Sequence, residues 1–178
     1  YCYHFDYPFQ QKVIYEGEVD PKDFRAGYRT ARWTWWAYMD ISRKLLEAYD
    51  LIANSGEVEK LSEEKKVNAG ADIERLLALA AEQVLGNRDD LTNMSPGMWA
   101  DLIMTGRVLG KPEYVHTPIG RLRRFLTEQF FYDGSWREGA PSYHSQVMGM
   151  LRSVITAAKG YSDPAEYKDA TTGERFDN

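Results

Sequence analysis

Residues 132–160 read YDGSWREGAPSYHSQVMGMLRSVITAAKG, and this stretch decides the fold class. It opens as a loop carrying Gly134 and Gly139, and then Pro141-Ser142 supplies a helix start, because proline is tolerated in the first turn of a helix and not beyond it. Val147, Met150, Leu151, Val154 and Ile155 follow at three- to four-residue spacing, which places them on one helical face, and Gly160 supplies the stop. A turn-rich loop leading into an amphipathic helix is the unit from which the rest of the chain can be read.

Upstream, the same reading predicts a helix from about Pro118 to Tyr132. Before it, Ser95-Pro96 reads as cap and first turn of a helix running through Trp99, Leu102, Ile103 and Val108 to Gly110. Ser62 followed by Glu63 and Glu64 places acids on the positive end of another helix. Its apolar stripe is Ile73, Leu76, Leu77, Leu79, Ala80 and Val84, ending at Gly86. From Pro21 to Gly56 the repeat of Trp33, Trp36, Met39 or Asp40, Leu46 and Tyr49 predicts one or two helices. Residues 1–20 are aromatic without period, and the polar tail after Tyr161 reads as loop. Strand signals are almost absent, so the fold class is all-α. Short turns imply antiparallel neighbours, as in helical hairpins forming part of an (α/α) toroid, or equally in a plain bundle.

The 178 residues and 43% hydrophobic content suit one folded domain rather than a disordered chain. No apolar run approaches the roughly 20 residues that span a bilayer, so no membrane insertion is expected. The chain opens at Tyr1 without Met and is expected to be a mature form or a piece of a longer protein. A formal charge of −5 argues against a nucleic acid partner, which calls for a clustered basic face. Arg121, Arg123 and Arg124, with Arg137 beyond, form a local cationic run. It suits an anionic ligand, or is simply a solvated helix face. Cys2 is a lone cysteine, His4 and His116 fall in no pattern and read as structural, and no HExxH, CxxC, Walker or dinucleotide motif is present. No metal and no cofactor is therefore expected.

Two loops stand apart, residues 92–99 (TNMSPGMW) and residues 132–144 (YDGSWREGAPSYH), and each leads into a helix start. A helix N-terminus offers unpaired N–H groups and a positive dipole end, so two of them facing one cleft would bind a carboxylate or sulfate. The order Asp133-Gly134, Glu138-Gly139 and Pro141-Ser142-Tyr143-His144 at a helix start is similar to the signature of heparinase II/III-like polysaccharide lyases. Asn93, about fifty residues upstream of Tyr143, resembles that family's asparagine-bearing loop. The resemblance covers roughly residues 85–178. It implies a toroid followed by a β-sandwich domain, secretion or a periplasmic location, and β-elimination of uronic-acid polysaccharides. The β-sandwich is absent from this stretch, so the chain by itself is expected to be weakly active or inactive.

That chemistry removes the C5 proton beside a carboxylate and expels the glycosidic oxygen from C4. The resemblance assigns Tyr143 as base and acid. A tyrosine with the ordinary pKa of about 10 needs positive surroundings to serve as base near neutrality. The first-turn position, with Arg137 and His144 close in sequence, is expected to provide them. Asn93 would donate to the uronate carboxylate, or alternatively turns the backbone before Ser95. Met94 stands where many relatives have histidine. Glu138 would bind hydroxyls or hold the loop. His144 would neutralise the carboxylate, orient Tyr143 or be a satisfied buried residue. Trp136, with Arg137 beside it, is a candidate for the sugar cleft, and Trp35 is a weaker one among Trp33, Trp36 and Tyr38, which suit the core. Two alternatives remain open: a glycoside hydrolase using Asp133 and Glu138, or Asp101 with one of them, and a noncatalytic helical module binding a glycan or protein.

Overall fold

The structure is a computed structural model describing residue 41 and residues 43–86 and 91–178. The predicted aromatic segment, Cys2, His4 and the cluster Trp33 to Tyr38 lie outside the described residues. Among the latter the fold is all-α, with six helices and no strand beyond one isolated bridge. No helix among them is long and apolar enough to cross a membrane. The chain divides into two compact units, Tyr1–Asn87 and Arg88–Asn178.

In the first unit, helix α1 spans Arg43–Ile52, α2 Glu57–Lys65 and α3 Ala69–Gly86. Leu46 and Tyr49, three residues apart, are buried on one face of α1, and the Tyr49 hydroxyl donates to Glu74 Oε1 of α3 at 2.7 Å. Burial and that acceptor push the Tyr49 pKa up to about 12, so the phenol stays a donor. The expected helix start at Ser62 is corrected: Ser62 lies inside α2, donating to the Val58 carbonyl (2.8 Å) and accepting the Ala69 N–H (3.0 Å). The break comes later, where Lys66 takes a left-handed conformation (φ 56°) and Asn68 Oδ1 accepts the Ala71 N–H at 3.1 Å. Asn68 is therefore the cap of α3. Of the predicted stripe Leu76, Leu77, Ala80 and Val84 are buried, with Ala81 beside them, and Ile73 and Leu79 are half-buried.

The second unit holds α4 (Ser95–Leu109), α5 (Glu113–Glu128) and α6 (Pro141–Ala158). Helices α4 and α6 run parallel. Gln146 Nε2 meets Met94 Sδ at 3.6 Å, and a β-carbon on Gly97 would sit 3.4 Å from Met150 Sδ. At the far end Arg107 donates to the carbonyls of Ala157 (2.6 Å) and Lys159 (3.1 Å), closing the C-terminus of α6. Helix α5 returns antiparallel against α4, with the Trp99 and Phe125 rings edge to face at 5.4 Å. These elements enclose Trp99, Ala100 and Ile103 of α4, Val115 and Phe125 of α5, and Val147, Leu151, Val154 and Ala157 of α6.

Two predicted boundaries shift. Ser95 is the first helical residue of α4 and not its cap; its Oγ instead accepts the Thr92 N–H at 2.9 Å. Helix α5 begins at Glu113 rather than Pro118, and ends at Glu128 rather than Tyr132. Pro118 lacks an N–H, yet burial of Tyr114, Val115 and His116 outweighs that loss and extends the helix backward. The tail after α6 has no helix, as expected, but is folded back: Asp163 N–H donates to the Phe176 carbonyl (3.0 Å) and Asp169 N–H to the Glu174 carbonyl (2.9 Å).

Candidate functional site

The parallel course of α4 and α6 places both helix N-termini, and the two unusual loops before them, at one end of the second unit. The carbonyl of Phe131 accepts the Gly134 N–H at 2.9 Å and its own N–H donates to Ser135 at 2.9 Å, with Gly134 at φ 80°. This is a three-residue hairpin turn closed by a left-handed glycine, and Phe130 and Trp136 pair across it. Asp133 Oδ1 accepts both the Ser135 hydroxyl (2.7 Å) and its N–H (2.9 Å). The hydroxyl bond is the main reason its carboxyl lies below the usual range. A second turn follows, in which the Gly139 N–H donates to the Trp136 carbonyl at 2.9 Å with Gly139 at φ 69°. Ala140 is then extended, as the residue before a proline should be, and α6 begins.

Trp136 does not line a sugar cleft. It is 1% exposed, stacked on Phe125 at 5.3 Å and edge to face with Phe130 at 5.5 Å. An indole with both flanks packed in the core has no face to offer a pyranose. Its N–H donates to Glu138 Oε2 at 2.7 Å, so Glu138 holds the loop, the second of its two expected roles. Arg137 is exposed, its guanidinium 5.8 Å from the Trp136 ring centre.

Tyr143, the third residue of α6, is 47% exposed, and its hydroxyl makes no hydrogen bond among the described residues. His144, next to it, is half-buried and accepts the Trp136 backbone N–H on Nδ1 at 3.2 Å. Asn93 sits in the turn before α4. That turn is built by its neighbours, for Thr92 Oγ1 accepts the Met94 N–H (3.2 Å) and Ser95 Oγ the Thr92 N–H (2.9 Å). The Asn93 carboxamide is not used to close it and has no partner among the described residues. Gln146, one turn beyond Tyr143 on α6, touches Met94 and so joins α6 to the loop before α4; no motif in the sequence singled it out.

Two arginines of the cationic run are ion-paired. Arg123 pairs with Glu174 (2.8 Å) and Arg124 with Glu128 (3.1 Å), which supports the solvated-face reading for these two. His116, which the sequence leaves without a pattern, is the centre of a buried network. Its Nε2 meets Asp163 Oδ2 at 2.7 Å, and Asp163 also accepts the Tyr161 hydroxyl (2.7 Å) and the Phe176 N–H (2.6 Å). The Phe176 ring stacks on the imidazole at 4.0 Å. Separations of up to 60 residues hide this network from any local pattern. Among the described residues no group of three His, Cys, Asp or Glu could hold a metal ion. No protein-family model, curated protein or solved structure matches the chain.

Proposed function

We propose that the chain is part of a polysaccharide lyase that cleaves uronic-acid glycans by β-elimination, with Tyr143 as base and acid. The supporting observation is the juxtaposition of the Asn93 turn and the first turns of α6, joined by the 3.6 Å contact between Met94 and Gln146. Tyr143 has a half-exposed, uncommitted hydroxyl on that same helix. In the proposed reaction Tyr143 takes the C5 proton of the uronate and returns a proton to the departing O4. Asn93 donates to the uronate carboxylate as charge builds on it, a role that needs a neutral side chain not already engaged. Arg137 and the amide-rich end of α6 supply positive potential for the anionic substrate. The resemblance of the YDGSWREGAPSYH stretch to heparinase II/III-like lyases supports the same reading, and with it a toroid completed by further helices and a β-sandwich. A secreted or periplasmic setting belongs to that reading too.

Asp133 and Glu138 are poor candidates for a hydrolase pair. One accepts the Ser135 hydroxyl and N–H and the other accepts the Trp136 indole N–H, so both carboxylates are committed within the loop. A panel of uronic-acid polysaccharides assayed with the intact enzyme for an ultraviolet-absorbing 4,5-unsaturated product tests the proposal. Tyr143→Phe is expected to lower turnover by at least roughly a hundredfold, with glycan affinity largely kept. Retained elimination in that variant removes Tyr143 from the mechanism, and product without the chromophore replaces lyase by hydrolase.

A further inference from the structure

We infer that His144 is a positioning residue acting through Nδ1 and is not a proton carrier, an inference that rests on the lyase reading for its catalytic consequence. A backbone N–H can only donate, so the Trp136 amide, 3.2 Å from Nδ1, requires a lone pair there. The neutral ring then carries its proton on Nε2. A base must present a lone pair to the substrate, and the lone pair of His144 is committed to the backbone. An N–H on Nδ1 would set two donors against each other. The ionisable groups around it are Asp133 and its sequence neighbours Arg137, Glu138 and Tyr143.

The amide bond has a mechanical effect. Trp136 is held at its ring by Phe125, at its indole N–H by Glu138 and at its backbone by His144. His144 adjoins Tyr143, so the bond fixes the hairpin of residues 130–136 against the turn that carries the proposed base. It thereby sets the orientation of Tyr143.

Two substitutions separate the ring nitrogens. His144→Asn places a carbonyl oxygen where Nδ1 was, and His144→Gln places an amide nitrogen near Nε2 with no acceptor at Nδ1. Hydrogen exchange of the Trp136 amide, followed by NMR, is expected to match wild type in the Asn variant. In the Gln variant it should run roughly two- to tenfold faster, the loss of one modest hydrogen bond. In the intact enzyme the Asn variant keeps kcat and the shape of its pH profile. The Gln variant loses roughly ten- to a hundredfold in kcat at little-changed KM, as for a misplaced catalytic group. Equal amide protection in all three proteins overturns the inference, and so does loss of a limb of the pH profile in the Asn variant. If wild type cleaves no uronate, the lyase reading fails, while the exchange measurement still decides whether His144 holds the hairpin.

Discussion

Trp136 shows how far a single residue's neighbours in sequence can mislead. An indole between two glycine turns has the local setting of an exposed side chain, yet the hairpin folds it under Phe130 and onto Phe125, where it is sealed from solvent. Burying so large an apolar surface outweighs the local preference, and Glu138 supplies the acceptor its N–H needs there. Lys66 ends α2 in the left-handed region, its N–H bonded to the Glu63 carbonyl (3.3 Å) and that of Val67 to the Ser62 carbonyl (3.1 Å). Glycine normally fills this position of the motif because a β-carbon is strained there. Lys66→Gly is expected to raise stability by about 0.5–1 kcal/mol, the relief of strain less the extra chain entropy of glycine. Urea unfolding with an unchanged slope checks it; a fall in midpoint would mean that this turn is not left-handed in solution.

At the level of elements, the boundary between α4 and α5 depends on one missing methyl group. A β-carbon on Gly106 would lie 2.8 Å from the Lys111 carbonyl and 2.9 Å from Tyr114 Cβ, so the end of α4 can meet the start of α5 only over glycine. Gly106→Ala is expected to cost about 1–3 kcal/mol by overpacking. Gly120, inside α5 with nothing within 4 Å of its would-be β-carbon, is the internal comparison. There alanine should stabilise by about 0.5–1 kcal/mol, the ordinary helix preference. Thermal unfolding of the two variants tests the pair, and equal responses would refute the close approach. The early start of α5 belongs to the same scale. Pro118 signals a helix start locally, but burial of Tyr114, Val115 and His116 adds a turn and a half before it.

For the second unit as a whole, the carboxylate of Asp163 is the tie between α5 and the tail. Burial alone would raise its pKa, but the Phe176 N–H, the Tyr161 hydroxyl and His116 outweigh that and hold it below the usual carboxylate range. Burial and the bond to Asp163 in turn push the Tyr161 phenol upward. A carboxyl lowered in the folded state stabilises above its unfolded pKa of about 4, and that contribution is lost as pH falls through the folded value. Stability of the unit should therefore drop below pH about 4. Asp163→Asn should cost about 1.5–3 kcal/mol at neutral pH, since one amide position is a donor set among donors, and should show a smaller further loss in acid. Urea midpoints measured from pH 7 to 3 test this, and parallel curves for the two proteins would exclude Asp163 as the titrating tie.

The sequence by itself determined the all-α class, the helix starts at Ser95-Pro96 and Pro141-Ser142, and the place of Tyr143 in a first turn. Those features follow from periodicity and from the φ demands of proline and glycine, which act over a few residues. Only the tertiary structure decided the rest: that α4 and α6 run parallel and bring Met94 to Gln146, that Trp136 is core, and that His144 offers its Nδ1 lone pair to the backbone. It also decided that His116 answers to Asp163, across 47 residues. Each of these depends on which distant donor, acceptor or ring arrives at a given side chain, and a pattern of residue types along one chain does not carry that information.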